Sequence, residues 1–167
     1  MKNIVLIGMP GSGKSTAGVV LAKVLGYRFV DVDLVIQEQE KRLLHEIIRQ
    51  EGEDGFIAIE NRVNAGLNVE NSVIAPGGSV IYGREAMEHY KETATVVYLK
   101  LPYEVLEKRL HNLKDRGVVL KEGQTLQDLY EERGRLYEKY ADITVEETNL
   151  DVAATVQKIV EELKKAE

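Results

Sequence analysis

The part of this chain that most constrains its fold is the stretch Gly8-Met9-Pro10-Gly11-Ser12-Gly13-Lys14-Ser15. It matches the phosphate-loop pattern G-x-x-x-x-G-K-S/T at every fixed position. A short apolar run over residues 3–7 precedes it, and a helical pattern over residues 15–25, ended by Gly26, follows it. Strand, loop and helix therefore come in the order that a nucleotide-phosphate site requires.

The residue types of this loop fit phosphate chemistry. Glycines at 8, 11 and 13 allow a tight turn and bring backbone N–H groups close to phosphate oxygens. We expect Lys14 to reach the β- and γ-phosphates and the Ser15 hydroxyl to ligate Mg²⁺. The alternative is a glycine-rich turn that only joins a strand to a helix. The loop thus predicts ATP and Mg²⁺ as ligands, with these nucleotide-binding residues: Gly11, Ser12, Gly13, Lys14, Ser15 and Thr16.

Composition excludes several classes of function. The chain has 167 residues, 44% of them hydrophobic and 30% charged, which is typical of one globular domain. It has no cysteine, so disulfide, zinc-thiolate and cysteine-nucleophile chemistry are excluded, and we expect a cytoplasmic protein. The first apolar run is too short for a signal peptide or a membrane span. A net charge of −6 argues against sequence-independent nucleic-acid binding, so a small-molecule substrate is expected. We also expect a monomer.

The remaining pattern predicts an α/β fold. Four more short apolar runs, at residues 27–31, 72–75, 95–99 and 142–145, lack the alternation of a half-exposed sheet. Helical spacing lies between them, with two or three short helices over residues 34–67 and later helices at 85–90, 102–111, 125–140 and 150–163. This order predicts a single three-layer domain with a five-stranded parallel sheet. Residues 112–123 are polar and irregular and are expected to form a lid.

Further motifs, taken in order and spacing, resemble the shikimate kinase family, in the nucleoside-monophosphate-kinase-like branch of phosphate-loop folds. The resemblance covers nearly the whole chain. Beyond the loop, the residues that carry it are Asp31 and Asp33, Gly52-Glu53 followed by Phe56 and Glu60, Gly77-Gly78, Arg109, Arg116, and the R-x-x-L-Y stretch from Arg133 to Tyr137.

For the phosphate donor, the resemblance implies roles for three residues. Asp31 would organise the water shell of Mg²⁺, Arg109 would lie on the adenine ring, and Arg116 in the lid would neutralise charge on the transferring phosphoryl group. Considered alone, each has a plainer alternative: an ordinary carboxylate at a strand end, a helix-surface charge, and a solvated loop arginine.

For the acceptor, the resemblance implies that Asp33 orients the reacting hydroxyl and can take its proton, and that Arg133 binds a carboxylate. Glu60, Gly77 and Gly78 would line the same pocket. The residues alone leave alternatives open, because Arg133 could pair with Glu131 or Glu132 or face solvent, and the glycines could form only a tight turn.

The sequence departs from the family pattern mainly where the acceptor should bind. The family has an arginine directly after Phe56 as an anchor for the acceptor's carboxylate, and this chain has Ile57. Pro76 replaces the first glycine of the family's glycine turn, and Gly117 replaces a lid proline. Arg133 alone, or Arg133 with Arg62 swinging in, would have to hold a carboxylate. We therefore expect shikimate to have a raised Michaelis constant that Ile57→Arg lowers.

The leading hypothesis is an ATP- and Mg²⁺-dependent kinase that phosphorylates a hydroxyl of shikimate or a related hydroxylated metabolite. The alternatives are a gluconate- or nucleotide-type kinase of the same branch and a nucleotide-binding regulatory protein that transfers no phosphate. Retention of Lys14, Ser15, Asp33 and Arg116 together argues against the regulatory protein.

Overall fold

The structure of the protein is a computed structural model that describes residues 2–110, 120, 122–147 and 151–166. Its centre is a five-stranded sheet in which every neighbouring pair is parallel. The order across the sheet is β2-β3-β1-β4-β5. The strands are β1 (Asn3–Ile7), β2 (Arg28–Asp31), β3 (Ser72–Ala75), β4 (Ala94–Lys100) and β5 (Ile143–Glu146). The predicted α/β fold with a five-stranded parallel sheet is confirmed.

Helices connect the strands. They are α1 (Lys14–Leu25), α2 (Val32–Glu40), α3 (Leu44–Ala65), α4 (Arg84–Thr93), α5 (Tyr103–Arg109), α6 (Leu126–Tyr140) and α7 (Val152–Lys165), with a 3₁₀ turn at Val80–Tyr82. The end of α1 at Gly26 was predicted, and that glycine takes the left-handed conformation (φ 72°) that closes the helix. Helix α2 is the first of the helices predicted over residues 34–67. It begins at Val32, two residues before its predicted start, because the Asp31 side chain caps it.

Glycines 52 and 55 predict a break in the helical pattern of residues 34–67, and helix α3 is broken at the first of them. Gly52 has φ 77° and ψ 176°, a conformation that interrupts helical geometry and that glycine adopts at low cost. Gly55 lies inside helical backbone. The segment over residues 34–67 therefore consists of α2 and a kinked α3.

Both faces of the sheet are buried at its three inner strands, β3, β1 and β4, which explains why these strands do not alternate between apolar and polar residues. The edge strand β5 does alternate, with Thr144 and Glu146 exposed. From β1, Val5 and Ile7 pack into a core with α2, α3, α4 and α6. Ile4 and Leu6 point the other way and pack against α1 and α7. Each such side chain contributes about 1.5–3 kcal/mol when fully buried. These two layers hold the central strand rigidly beneath the phosphate loop.

The topology brings the functional segments to one edge. Because all strands are parallel, the segments after β1, β2, β3 and β5 leave the sheet at its carboxyl edge, where open α/β sheets bind ligands. Within the described residues, no helix has both the length and the apolarity that a membrane span requires.

Candidate active site

The phosphate loop joins β1 to α1 and has the backbone that its glycines predict. Gly11 and Gly13 adopt left-handed φ angles of 83° and 85°, and Gly13 is the N-cap of α1. A Cβ at Gly8 would lie 2.7 Å from the carbonyl oxygen of Leu99 in β4, so no larger residue fits there. The loop therefore presents N–H groups and a helix N-terminus at the carboxyl edge, an arrangement that binds anions.

The Lys14 side chain folds back over the loop. Its Nζ donates hydrogen bonds to the carbonyl oxygens of Gly8 (2.7 Å) and Met9 (3.0 Å). Burial lowers the pKa of this ammonium from 10.5 to about 8, although Asp33 acts in the opposite direction. A buried cation that is held only by neutral carbonyl groups is suited to receive an anion beside it.

A cavity of about 730 Å³ runs from the loop to helices α2 and α3. Such a volume fits a small molecule together with the end of a triphosphate. The lining residues are Pro10, Gly11, Gly13, Lys14, Ser15, Thr16, Asp31, Asp33, Gln37, Leu43, Leu44, His45, Ile48, Phe56, Glu60, Ala75, Pro76, Gly77, Gly78, Ser79 and Arg133.

The two predicted aspartates lie at the start of α2. Asp31 Oδ1 accepts a hydrogen bond from the backbone N–H of Asp33 (3.0 Å), which caps the helix and fixes both residues. Burial raises the pKa of the Asp33 carboxyl from 3.8 to about 6, and the negative charge of Asp31 acts in the same direction. Lys14 partly opposes the shift. Asp33 is thus a fixed carboxylate within the electric field of the loop lysine.

Glu60 is another carboxylate of the cavity, and unlike the half-buried Asp33 it is buried. Only 1% of it is exposed, and burial raises its pKa from 4.5 to about 7. Its Oε1 accepts a hydrogen bond from the Ser79 hydroxyl (2.6 Å), while Oε2 has no hydrogen-bond partner among the described residues. Glu60 Oε2 and Asp33 Oδ1 lie 3.0 and 3.1 Å from the position that a Cβ at Gly77 would occupy. The glycine therefore lets both carboxylates face one point in the cavity.

Arg133 from α6 supplies the cation at this end. It is 6% exposed, and its guanidinium carbon lies 5.6 Å from the ring centroid of Tyr82. Its Nη1 lies 3.0 Å from the position of a Cβ at Gly78, and its Nε has no hydrogen-bond partner among the described residues. The Tyr137 hydroxyl donates to the Gly78 carbonyl oxygen (2.6 Å) and so ties α6 to the glycine turn. Arg133 therefore does not face solvent, and among the described residues it forms no ion pair with Glu131 or Glu132. It lines the cavity as a buried cation.

Comparison with known protein families shows the family to which this chain is similar. The family model described as shikimate kinase matches residues 10–164. The chain belongs to the shikimate kinase family.

Shikimate kinases of several bacteria are similar over most of their length. The protein from Persephonella marina is 37% identical over 146 residues, which are 87% of this chain and 88% of the relative. The protein from Clostridium botulinum (strain ATCC 19397) is 42% identical over 144 residues, 83% of this chain and 84% of the relative. Among solved structures, shikimate kinase from Acinetobacter baumannii in complex with shikimate superposes with a TM-score of 0.87 at 34% identity, covering 100% of this chain and 95% of that one.

Not all residues predicted from the shikimate kinase pattern meet in the cavity. Ile57, at the position of the family's arginine, is half-buried and does not line the cavity, although Phe56 and Glu60 of the same helix do. Arg62 does not turn inward, since its Nη2 forms an ion pair with Glu40 (2.9 Å) on the outer side of the helices. Arg116, Gly117 and most of the predicted lid lie outside the described residues.

Arg109 lies at the loop but not in the acceptor cavity. Its Nη1 donates a hydrogen bond to the Gly11 carbonyl oxygen (2.9 Å), and its guanidinium group remains exposed. This bond anchors the end of α5 to the phosphate loop.

Sequence reasoning missed three residues that contact these groups. Ser79 holds Glu60, Tyr82 packs on Arg133, and Glu147 lies beside Gly13. Ser79 follows Gly78 directly and Tyr82 comes three residues later, so their nearness to the glycine turn in the sequence could have indicated that they contact the site. Nothing in the local sequence distinguishes Glu147 from its neighbour Glu146.

Proposed function

We propose that the protein transfers the γ-phosphoryl group of ATP to a hydroxyl group of shikimate. The proposal rests on one cavity that joins the phosphate loop to two carboxylates, the half-buried Asp33 and the buried Glu60, and to the buried Arg133. A phosphoryl-transfer enzyme needs donor and acceptor groups in line within a closed space, and this cavity offers both ends.

At the donor end, the loop amides and Lys14 bind the β- and γ-phosphates. On phosphate binding, Lys14 exchanges the carbonyl groups of Gly8 and Met9 for phosphate oxygens. Ser15 and Asp31 would hold Mg²⁺, because both bring oxygen donors to the same cavity and oxygen ligands suit this ion. When bound, the ion neutralises charge that develops on the phosphates.

At the acceptor end, Asp33 orients the reacting hydroxyl. Its backbone is fixed by the Asp31 cap, and its carboxylate lies next to the loop lysine. The transition state of phosphoryl transfer is loose, so the position of the hydroxyl matters more than the base strength of the carboxylate. Asp33 accepts the hydroxyl proton as the new O–P bond forms.

Arg133 binds the acceptor's carboxylate, and Glu60 binds a second hydroxyl. The buried guanidinium has a free Nε and is stacked on Tyr82, which holds its plane. Glu60 Oε2 accepts from a hydroxyl, since a buried carboxylate oxygen without a donor is costly. An acceptor with one carboxylate and several hydroxyls, such as shikimate, satisfies both groups.

The same features argue against the alternative acceptors. A nucleotide acceptor would bring a phosphate to the region lined by Leu43, Leu44 and Ile48, where the described lining has no arginine besides Arg133. A regulatory protein that only binds nucleotide has no use for the pair of Asp33 and Glu60. We further propose that the chain acts as a cytoplasmic monomer with a single kinase domain.

The proposal is tested by incubating the purified protein with ATP, Mg²⁺ and shikimate and following the product by ³¹P NMR. We expect a phosphate monoester signal whose growth equals ADP release. Parallel reactions with gluconate, a nucleoside monophosphate and no acceptor serve as controls. ADP release that is the same with and without shikimate would refute the proposal, and a monoester formed only from gluconate or the nucleotide would support an alternative.

A further inference from the structure

Glu147 is a buried carboxylate that the proposed reaction does not use. It follows β5 directly, and its backbone N–H donates to the Lys100 carbonyl oxygen at the end of β4 (2.9 Å). Its side chain is turned toward the phosphate loop, where Oε1 lies 3.8 Å from the position of a Cβ at Gly13. The residue is 9% exposed, and its Oε2 has no hydrogen-bond partner within the described part of the chain.

The charge of this carboxylate is incompletely compensated. Burial raises the pKa of Glu147 from 4.5 to about 7, against the opposing influence of Arg109 and Lys14. Neither cation forms an ion pair with it among the described residues, since Lys14 is bonded to loop carbonyls and Arg109 to Gly11. A buried polar atom without a partner is costly, so a hydrogen-bond donor from a ligand would stabilise it.

The position of Glu147 indicates which part of a ligand it meets. The cavity that holds Asp33, Glu60 and Arg133 extends from one side of the loop. A triphosphate bound with its γ-phosphate toward those residues must extend its nucleoside in the opposite direction. Arg109, bonded to Gly11, and Glu147, beside Gly13, both contact the loop but are not among the residues that line that cavity, so we place them on the nucleoside's side of the loop.

We propose that Glu147 is a specificity-determining residue for the nucleoside, and that its Oε2 accepts a hydrogen bond from a hydroxyl or amino group of the bound nucleoside triphosphate. This inference rests on the proposed function, since it requires a nucleotide donor. An ionised triphosphate offers acceptors only, whereas a ribose hydroxyl or an exocyclic amino group offers the donor that a carboxylate needs. A carboxylate here therefore selects for the nucleoside and repels a bare polyphosphate.

The test is calorimetric measurement of the dissociation constants of ATP, 2′-deoxy-ATP, 3′-deoxy-ATP and inosine triphosphate for the full chain. We expect wild-type protein to bind the analogue that lacks the bonded donor about tenfold more weakly than ATP. Glu147→Ala should weaken ATP about tenfold and abolish that discrimination, and Glu147→Gln, which keeps an acceptor oxygen, should retain part of both. Glu146→Ala, which removes an exposed charge from the adjacent position, is the matched control and should leave all four constants unchanged.

Two results would overturn the inference. One is a Glu147→Ala variant that binds ATP as tightly as wild type or more tightly. The other is wild-type protein that binds all four triphosphates equally, a measurement that needs no variant and holds even if Glu147→Ala fails to fold. Wild-type protein that binds no triphosphate would refute the proposed function as well, whereas wild-type binding with no effect of Glu147→Ala refutes this inference alone.

Discussion

The two ends of the cavity are built on different principles. The phosphate end is a contiguous loop that binds through backbone N–H groups, and its conformation depends on glycines at 8, 11 and 13. The acceptor end is assembled from side chains of separate elements: Asp33 from α2, Glu60 from α3, Ser79 from the turn after β3 and Arg133 from α6. A local motif specifies the first, and only the tertiary fold specifies the second.

This difference determines which groups carry the free-energy cost of burying charge. At the phosphate end this cost falls on one side chain, since burial lowers the pKa of Lys14 from 10.5 to about 8, while the backbone amides of the loop carry no net charge. The acceptor end has the half-buried carboxylate of Asp33 and the buried carboxylate of Glu60, and loss of solvent raises the pKa of both. The acceptor end therefore depends more on its ligand and on single side chains, and substitutions there change specificity before they change the fold.

The largest effect is expected at the phosphate end. Lys14→Ala removes the only cation of the loop, and turnover should fall at least about 10³-fold because charge on the transferring group is no longer neutralised. The rate of ADP release at saturating substrates measures it, with Lys23→Ala, an exposed lysine of the same helix, as control. Turnover like that of wild type would show that the loop lysine does not contact the reacting phosphate.

The second-largest effect distinguishes the acceptor end from the phosphate end. Asp33→Asn keeps the shape of the side chain and removes its charge, so kcat should fall about 10²-fold while ATP affinity is unchanged. Steady-state rates and calorimetric ATP binding, compared with the exposed Asp54→Asn, test this. A change in ATP affinity with unchanged kcat would assign Asp33 to the donor end.

A third, smaller effect concerns Arg133. Arg133→Lys keeps the positive charge but loses the planar fork that stacks on Tyr82. The Michaelis constant for shikimate should rise about 10- to 100-fold, which corresponds to the free energy of one charge-assisted contact. The Michaelis constant for ATP should change little. The exposed Arg135→Lys is the matched control. Equal increases for both substrates would contradict a role confined to the acceptor end.

The smallest expected effect is on stability. The pKa of Glu60 is raised from 4.5 to about 7 in the folded protein, so the folded state binds this proton more tightly than the unfolded state. Its stabilising contribution is present below pH 4.5 and is lost as pH rises through 7. Glu60→Gln should therefore be about 1–3 kcal/mol more stable than wild type at pH 8, with a much smaller difference at pH 4.5.

Urea unfolding at the two pH values measures this difference, with the exposed Glu131→Gln as control. A difference between Glu60→Gln and wild type that is the same at both pH values would show that Glu60 is not desolvated in the folded protein.

The fold and the phosphate end could be predicted from sequence because their signals are local. Buried parallel strands appear as short apolar runs, and the loop glycines have fixed spacing. The start of α2 was predicted two residues late because the Asp31 cap depends on a side-chain conformation that apolar spacing does not reveal.

The acceptor end was predicted only in part. Its residues were identified by resemblance to the shikimate kinase pattern, but the contacts among them depend on how distant elements meet. The bond from Ser79 to Glu60 and the outward ion pair of Arg62 are examples. Glu147 had no sequence signal, because its burial follows from β5 ending beside the phosphate loop.

The measurement that tests the account most directly is a two-substrate kinetic analysis of wild type and Ile57→Arg. Ile57 does not itself line the cavity, and we expect a longer arginine side chain from this position on α3 to bring a second cation to the acceptor end without contacting the phosphate loop. Wild type should therefore show a high Michaelis constant for shikimate, which Ile57→Arg lowers about tenfold, with no change in the constant for ATP. A shikimate constant that Ile57→Arg leaves unaltered, or an ATP constant that changes equally, would contradict it.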